Sequence, residues 1–349
     1  MAEMGLPRFL SACRLEPVDR TPVWFMRQAG RHQPEYRQLR ERYDFLTLCT
    51  TPELASRVTL IPLHWYPVDA AILFSDILLP LIPMGLELQF PDGERPVISN
   101  PLRNEESIRK LRSYEPEEAL AFVLEAIRIV CRELGGRKPL IGFSGAPFTL
   151  ASYAIEGGHS EDYRQTRDLM TLHPKWWKSL MKTLSRTVTH YLLAQIQAGV
   201  QAVQLFDSWA GVLTAKEYQD HVLPYSKEVI DVIQGTGVPL IHFGTRTGPF
   251  LEIFEKAGAG VVGVDWRVPL DEAWRRIGYR RAIQGNLDPS VLLKPVREIR
   301  EEVRSVLEQA GGRPGHIFNL GHGILPETQP EHVLAAVETV QQYRAKHHG

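Results

Sequence analysis

Two arginines near the start of the chain have the spacing of an anion-binding clamp. Arg27 and Arg31 follow a short apolar segment and enclose three residues, Gln28, Ala29 and Gly30. The planar guanidinium group of arginine can hold a carboxylate or a phosphate with two parallel hydrogen bonds, and Gly30 allows a tight backbone turn between the two. The alternative is that both arginines form salt bridges with acidic residues of the protein itself.

Polar residues also follow most of the other short apolar segments of the chain. Asp76, for example, lies two residues beyond one of them. If these segments are the parallel strands of a barrel, their carboxyl ends meet at one mouth, where barrel enzymes carry their chemistry. The residues that such a barrel brings together are Arg27, Arg31, Ser75, Asp76, Ser144, Tyr153, Asp207, Ser208, His242, Arg246, Asp265, Asn286, Asp288, Asn319 and His322.

Each of these residues, taken alone, has an ordinary structural explanation. Asp76 can cap the segment that follows it, Ser208 is typical of a turn, and Tyr153 is typical of a half-buried packing residue. His322 is less ordinary, because a glycine on either side leaves its imidazole unshielded. The residues that we expect to support the mouth are Asp207, His242 and Asp265.

The chain lacks the motifs of several enzyme classes. It has no Gly-x-Ser-x-Gly elbow, no P-loop and no His-Glu-x-x-His, and no Gly-x-Gly-x-x-Gly follows a strand. His242-Phe-Gly244 is not a His-x-Cys metal pair, and the three cysteines lie far apart in the sequence. Arginines combined with one acid, a tyrosine, a serine and a histidine instead indicate an enzyme that handles a polycarboxylate without a metal.

The elements that must position these residues are eight short apolar segments separated by amphipathic helical patterns. The segments are apolar throughout, as expected of parallel strands that are buried on both faces. We therefore predict one (β/α)8 barrel domain over residues 1–349, with an active-site cleft at the C-terminal ends of its strands. An open, doubly wound sheet with a lid is the alternative. The segments are Pro22–Met26, Asp69–Phe74, Pro139–Gly142, Ala202–Phe206, Pro239–Phe243, Gly260–Val264, Arg281–Gln284 and His316–Leu320.

Two long insertions interrupt this alternation, around residues 75–115 and 145–170. The first contains Leu86–Phe90 followed by Pro91-Asp92-Gly93, which indicates a small hairpin added to the barrel. Among the amphipathic stretches, Ala215–Gln234 is predicted as one helix.

Composition restricts the possible partners. The chain has 349 residues and a formal net charge of −1, so no overall field favours nucleic acid or an anionic membrane. Three isolated cysteines predict a reduced, cytoplasmic setting without a disulfide framework. The sequence has neither a signal-peptide pattern nor an apolar run long enough to span a membrane.

Two long motifs and five short ones, in order along almost the whole chain, resemble the uroporphyrinogen decarboxylase family. One departure is His32, where the family usually has a tyrosine, and this places only a contact at the cleft rim in doubt. Ser208 stands where the family has serine or threonine, and Asp207 where it has an acid. The matching segments are Phe25–Arg31 with Pro34–Arg37, Ile141–Leu150, Phe74–Leu78, Tyr153 with Glu156–Gly158, Leu205–Gly211, Gln284–Asp288 and Asn319–Gly323.

The resemblance implies a (β/α)8 barrel, usually a homodimer, that removes CO2 from the four acetate side chains of uroporphyrinogen III. The product is coproporphyrinogen III, on the route to haem and chlorophyll, and neither a metal nor an organic cofactor is implied. Asp76 would accept hydrogen bonds from the pyrrole N–H groups and act in catalysis. The other residues implied to bind substrate are Arg27, Gln28, Ala29, Gly30, Arg31, Tyr153, Ser208 and His322.

Two other functions stay open on the residues alone. One is a zinc-dependent corrinoid or thiol methyltransferase of the same barrel superfamily, although such enzymes use a His-x-Cys pair that is missing at His242. The other is a tetrapyrrole-binding protein without catalytic activity. The combination of Arg27, Arg31, Asp76, Tyr153 and His322 argues against a site that has decayed.

Overall fold

The computed structural model describes residues 6–91 and 95–344, and its centre is a parallel seven-stranded sheet. The strands follow one another in chain order across this sheet, except that a separate antiparallel pair, β2 and β3, intervenes in the sequence. An order without reversal contradicts the doubly wound alternative. The strands are β1 Ala71–Ile72, β2 Leu88–Gln89, β3 Val97–Ile98, β4 Leu140–Gly145, β5 Ala202–Asp207, β6 Leu240–Gly244, β7 Val261–Gly263, β8 Ala282–Leu287 and β9 His316–Leu320.

Seven of the eight predicted strand segments contain a strand of this sheet. Nearly every residue of β4–β9 is buried, which agrees with the uninterrupted apolar runs in the sequence. The predicted hairpin is confirmed, since Leu88 pairs with Ile98. Asp92 and Gly93, predicted to form its turn, lie outside the described residues.

The first predicted strand, Pro22–Met26, contributes one isolated bridge and no full strand. Val23 bridges to Phe318 of β9 in the parallel sense, and Phe318 N–H donates to the carbonyl of Pro22 at 2.8 Å. On the other side, Asp69 N–H donates to the carbonyl of Val23 at 2.8 Å, just before β1 begins. The segment therefore has backbone contacts at both edges of the sheet.

Side-chain contacts show that the sheet is strongly curled. Gln284 on β8 donates to Gln204 on β5 and accepts from the indole N–H of Trp24, both at 3.0 Å. Strands three places apart are separated by about 14 Å in a flat sheet. The amides can meet only because the sheet curves round a shared interior, where all three side chains are buried.

Helices cover the outside of the sheet. The predicted helix Ala215–Gln234 was wrong as a single element: it divides at Val222, because Pro224 lacks the N–H that a continuous helix needs. The described helices are α1 Arg8–Cys13, α2 Pro34–Arg40, α3 Phe45–Thr50, α4 Pro52–Trp65, α5 Glu105–Arg109, α6 Pro116–Ala119, α7 Ala121–Leu134, α8 Pro147–Glu156, α9 Arg164–Leu172, α10 Pro174–Ala198, α11 Ala215–His221, α12 Leu223–Gln234, α13 Leu251–Glu255, α14 Leu270–Arg276, α15 Val296–Ala310 and α16 Pro330–Gln342. Short 3-10 turns occupy Leu79–Leu81, Ala210–Val212, Gly248–Phe250 and Pro289–Leu293. Among the helices described, none has the length and apolarity to cross a membrane.

Candidate active site

The loop that carries Arg27 is held by buried groups on both sides. Met26 N–H donates to Asn319 Oδ1 at 3.1 Å, and Met26 accepts from Ile324 N–H at 3.0 Å. The Gln28 amide accepts from Phe25 N–H at 3.1 Å and donates to the Ala70 carbonyl at 3.2 Å, and its side chain is fully buried. The side chain of Gln28 is thus hydrogen-bonded inside the protein and shapes the loop, and its part in substrate binding stays a prediction.

Backbone strain in this loop falls on an arginine. Arg27 has a φ of 59°, in the left-handed region that residues with a side chain rarely occupy, whereas the glycine predicted to make the turn, Gly30, has no positive φ. Strain of this kind persists where the surroundings impose it, often at a ligand site. Ala29 and Gly30 are partly exposed, so their backbone groups border the cleft.

Both arginine side chains are exposed, and neither has an ion-pair or hydrogen-bonding partner within residues 6–91 and 95–344. The alternative that Arg27 and Arg31 pair with the protein's own acids therefore finds no support in the described part of the chain. Two unpaired guanidinium groups four positions apart are available to an anionic ligand.

The glycine-flanked histidine lies directly beside Arg27. A Cβ atom at Gly323 would lie 2.6 Å from Cγ of Arg27, and a Cβ atom at Gly321 would lie 2.8 Å from the Trp266 ring. The loop that carries His322 is therefore packed between Arg27 and Trp266. Only glycine leaves room for both neighbours.

His322 is held as a neutral ring with a defined tautomer. Its Nδ1 accepts a hydrogen bond from Gly323 N–H at 2.8 Å, so the ring proton is on Nε2. Burial, together with the nearby charges of Arg27 and Arg267, lowers the pKa of His322 to about 4, although Asp265 acts in the opposite direction. At neutral pH the residue can donate a hydrogen bond from Nε2, but it is not charged.

We predict that Gly323→Ala weakens substrate binding without unfolding the protein. The added methyl group displaces the flexible stem of Arg27, and we expect KM to rise about tenfold, the effect of roughly 1.4 kcal/mol. Gly321→Ala is the matched control, because its methyl group meets the backbone of Trp266 and lowers stability by about 1–3 kcal/mol. Steady-state kinetics and thermal melts of both variants test this, and an unchanged KM for Gly323→Ala contradicts it.

Asp76 lies two residues after the predicted second strand and is partly exposed. Its Oδ1 accepts from Leu78 N–H at 2.8 Å. Burial raises the pKa of Asp76 to about 6, while the Leu78 hydrogen bond and the charge of Arg27 act in the opposite direction. Oδ1 thus closes a local turn with Leu78 and does not cap the 3-10 turn Leu79–Leu81. The other carboxylate oxygen has no hydrogen-bonding partner within the described residues.

Tyr153 and Ser208 lie on the same side of the cleft. Tyr153 is on α8 and packs edge-on against Trp209, with 5.8 Å between ring centroids. Burial raises the pKa of Tyr153 to about 12, and the charge of Asp76 raises it too. Ser208 precedes Trp209 and is half-buried, and its carbonyl accepts from Thr245 Oγ1. The structure thus brings Tyr153, Asp76 and Arg27 within electrostatic range of one another.

Several predicted mouth residues lie below the cleft instead of lining it. Asp207 and His242 are buried, with 3.6 Å between Oδ2 and Nε2, and Thr149 donates to Asp207 at 3.2 Å. Asp207 and His242 lie within β5 and β6 and not beyond their ends, so their side chains stay in the packed interior. The others buried in this way are Ser144, Asn286 and Asn319.

His32 is also buried, which corrects the expectation that it lies at the cleft rim. Its Nε2 is 3.2 Å from the hydroxyl of Tyr66, and the two rings are stacked. Burial, together with the charge of Arg37, lowers the pKa of His32 to about 4.

Arg267 is a residue of the site that the sequence analysis did not predict. It pairs with the buried Asp265 at 2.6 Å and stacks on Trp266, 4.1 Å from the ring centroid. The signal was present, because an arginine two residues after a strand-end aspartate can fold back onto it.

Comparison with known proteins identifies the family of this chain. The uroporphyrinogen decarboxylase (URO-D) family model matches residues 4–343. The chain belongs to the uroporphyrinogen decarboxylase family. A uroporphyrinogen decarboxylase from Sorangium cellulosum is 56% identical over 95% of this chain and 95% of its own length. Another, from Roseiflexus sp., is 52% identical over 97% of this chain and 99% of its own length.

Among solved structures, a methyltransferase from Methanosarcina mazei superposes with a TM-score of 0.79 at 20% identity, covering 96% of this chain and 97% of the other. At this identity the likeness shows a shared fold and nothing about substrate. Within residues 6–91 and 95–344, no group of three or more His, Cys, Asp or Glu side chains is arranged to hold a metal ion.

Proposed function

We propose that this member of the uroporphyrinogen decarboxylase family converts uroporphyrinogen III to coproporphyrinogen III, releasing four CO2 without a metal or organic cofactor. The observation that carries the proposal is the pair of unpaired guanidinium groups, Arg27 and Arg31, beside the partly buried carboxylate of Asp76 in a chain of this family.

The proposed chemistry needs a place for the electron pair that CO2 leaves behind. Protonation of a pyrrole α-carbon gives a cationic ring, and loss of CO2 from the neighbouring acetate returns the electron pair to that ring. A proton then adds to the new methylene carbon to form the methyl group, and the α-carbon releases its proton. Asp76, ionised and facing the pyrrole N–H groups, stabilises the cationic ring; preorganised charge of this kind is usually the largest catalytic effect.

The remaining residues bind and orient the substrate. Arg27 and Arg31 hold carboxylates, with the backbone of Ala29 and Gly30 beside them. Tyr153, Ser208 and His322 complete the contacts, and Gln28 supports the loop from inside. His322 acts as a neutral donor through Nε2–H and not as the acid, because its pKa is about 4.

Activity should fall as the pH falls through about 6, the pKa of Asp76. The ionised carboxylate is the active form, so acid removes the charge that stabilises the cationic ring. The measurement is kcat/KM between pH 5 and 8.5. His322→Gln is the control, which should keep the same acid limb at lower overall activity. A profile that is flat between pH 5 and 7 contradicts this role for Asp76.

The direct test is anaerobic incubation with uroporphyrinogen III, oxidation of the products and chromatographic counting of their carboxyl groups. A series of products with eight down to four carboxyl groups, formed without added metal or cofactor, supports the proposal. Tight binding with an unchanged octacarboxylate supports a tetrapyrrole-binding protein instead. Stoichiometric zinc in the purified protein would favour the methyltransferase alternative.

The proposal extends to the architecture. The segment Pro22–Met26 would be the eighth strand of a closed (β/α)8 barrel, supported by its hydrogen bonds to residues at both edges of the sheet. We propose one such domain over residues 1–349 that works as a cytoplasmic homodimer and supplies haem or chlorophyll synthesis. Light scattering of the purified protein tests the dimer.

A further inference from the structure

One buried carboxylate organises two arginines on the side of the cleft that lies beyond His322. Asp265 follows β7 and is only 3% exposed. Its Oδ2 accepts from Arg267 Nη1 at 2.6 Å and from the backbone N–H of Arg246 at 2.7 Å. The loops after β6 and β7 are therefore joined through a single oxygen atom.

Arg246 is strained in the same way as Arg27. Its φ is 56°, and these two are the only arginines with a positive φ among the described residues. A glycine would adopt this conformation without strain, so the arginine side chain is kept at a conformational cost. A Cβ atom added to Gly211 would lie against Cβ of Arg246, so the loop after β5 closes tightly on this residue.

The two arginines tied to Asp265 differ in their partners. Arg267 is engaged by Asp265 and Trp266. The Arg246 side chain is exposed and has no hydrogen-bonding or ion-pair partner in the part of the chain that the structure describes. Contacts within the protein therefore account for the side chain of Arg267, whereas no such contact accounts for the side chain of Arg246.

The position of Arg246 complements that of Arg27. Thr245, its neighbour, donates to the carbonyl of Ser208. The loop around His322 packs against Arg27 on one side and against Asp265 and Trp266 on the other. Arg246 thus belongs to the opposite wall of the cleft from Arg27.

We propose that Arg246 binds a propionate carboxylate of the porphyrinogen, one that the reaction leaves in place. This rests on the proposed function, in which Asp76 faces the pyrrole N–H groups. Arg27, not Arg246, is the arginine whose charge acts on Asp76. Arg246 therefore lies away from that carboxylate, and the affinity for coproporphyrinogen III, which has lost its acetates, distinguishes a propionate at Arg246 from a second acetate.

The test compares Arg246→Gln and Arg246→Gly with Arg304→Gln, an exposed arginine on α15 outside the cleft. Both substitutions at Arg246 should raise the Kd for coproporphyrinogen III about tenfold, measured anaerobically by ultrafiltration, which corresponds to about 1.4 kcal/mol. The KM for uroporphyrinogen III should rise similarly while kcat stays within about twofold. Arg304→Gln should match the parent protein in both.

Arg246→Gly separates ligand binding from loop structure, because it relieves the strained backbone and should not lower the melting temperature. Parental Kd values in both Arg246 variants overturn the inference, even if the parent enzyme produces the full decarboxylation ladder. Loss of affinity in Arg246→Gln alone, with a lowered melting temperature, also overturns it. If the parent protein binds no porphyrinogen and releases no CO2, the proposed function fails together with the inference.

Discussion

Replacing Asp76 with asparagine is expected to lower kcat by about a hundredfold or more, the effect of losing roughly 3 kcal/mol of transition-state stabilisation. Asparagine keeps the size of the side chain and can still accept from Leu78 N–H, which Asp76 does at 2.8 Å. Two things are lost: the negative charge that faces the cationic ring, and the second acceptor oxygen, which the amide replaces with an NH2 donor. Substrate affinity should therefore fall as well, but less than kcat, because the charge acts mainly after protonation.

The same substitution should stabilise the fold. Because burial raises the pKa of Asp76 to about 6, its ionised form is less favourable in the native state than in the unfolded state at pH 7. The free energy of unfolding should rise by about 1–2 kcal/mol after allowing for the partial exposure of the side chain. This increase is complete above about pH 6 and disappears below about pH 4, the pKa of aspartate in the unfolded state. Asp44→Asn is a matched control, because Asp44 accepts from Thr47 N–H outside the cleft. The Asp44→Asn variant should lose stability and keep its activity. Near-normal turnover in the Asp76→Asn variant would show that Asp76 has no part in the mechanism.

Replacing Arg27 with alanine is expected to raise KM and lower kcat, together costing about a hundredfold in kcat/KM. A substrate carboxylate loses a charge-assisted pair worth roughly 1.5–3 kcal/mol, and the bound ring is then less well placed over Asp76. Arg27→Lys should recover part of the affinity, because it restores the charge without the planar fork. Steady-state kinetics of both variants measure this, and unchanged kinetics in Arg27→Ala refute the clamp.

The pH profile gives an independent readout of Arg27. Its positive charge lowers the pKa of Asp76, so removing it should raise that pKa and move the acid limb of kcat/KM to higher pH. Arg304→Gln on α15 should leave the limb in place. A limb that stays fixed in Arg27→Ala shows that the arginine does not act on Asp76.

Much of the fold was predictable because buried parallel strands leave continuous apolar runs. Seven runs overlap strands of the central sheet, whereas the predicted helix Ala215–Gln234 is broken at Val222. The segment around Val23 was harder, since a single bridge depends on partners that are distant in the sequence.

The candidate site was predictable by residue type but not by orientation. Arg27 and Asp76 lie where strand ends suggested, and the structure brings them together. Sequence could not show that Gln28 and His32 turn inward, because burial of a polar side chain depends on partners such as Ala70 and Tyr66. In the same way, a positive φ at Arg27 instead of Gly30 follows from packing and not from local preference.

The bonds that hold the Arg27 loop have a consequence for synthesis of the protein. Met26 is fixed by Asn319 and Ile324, and Trp24 by Gln284, all near the opposite end of the chain. A ribosome adds about 5–20 residues per second, so roughly 15 seconds or more pass between synthesis of the Arg27 loop and synthesis of its most distant partners. A nascent chain that stops before β9 therefore lacks Asn319 and Ile324, the two partners of the Met26 backbone, and the clamp is among the last parts of the molecule to form.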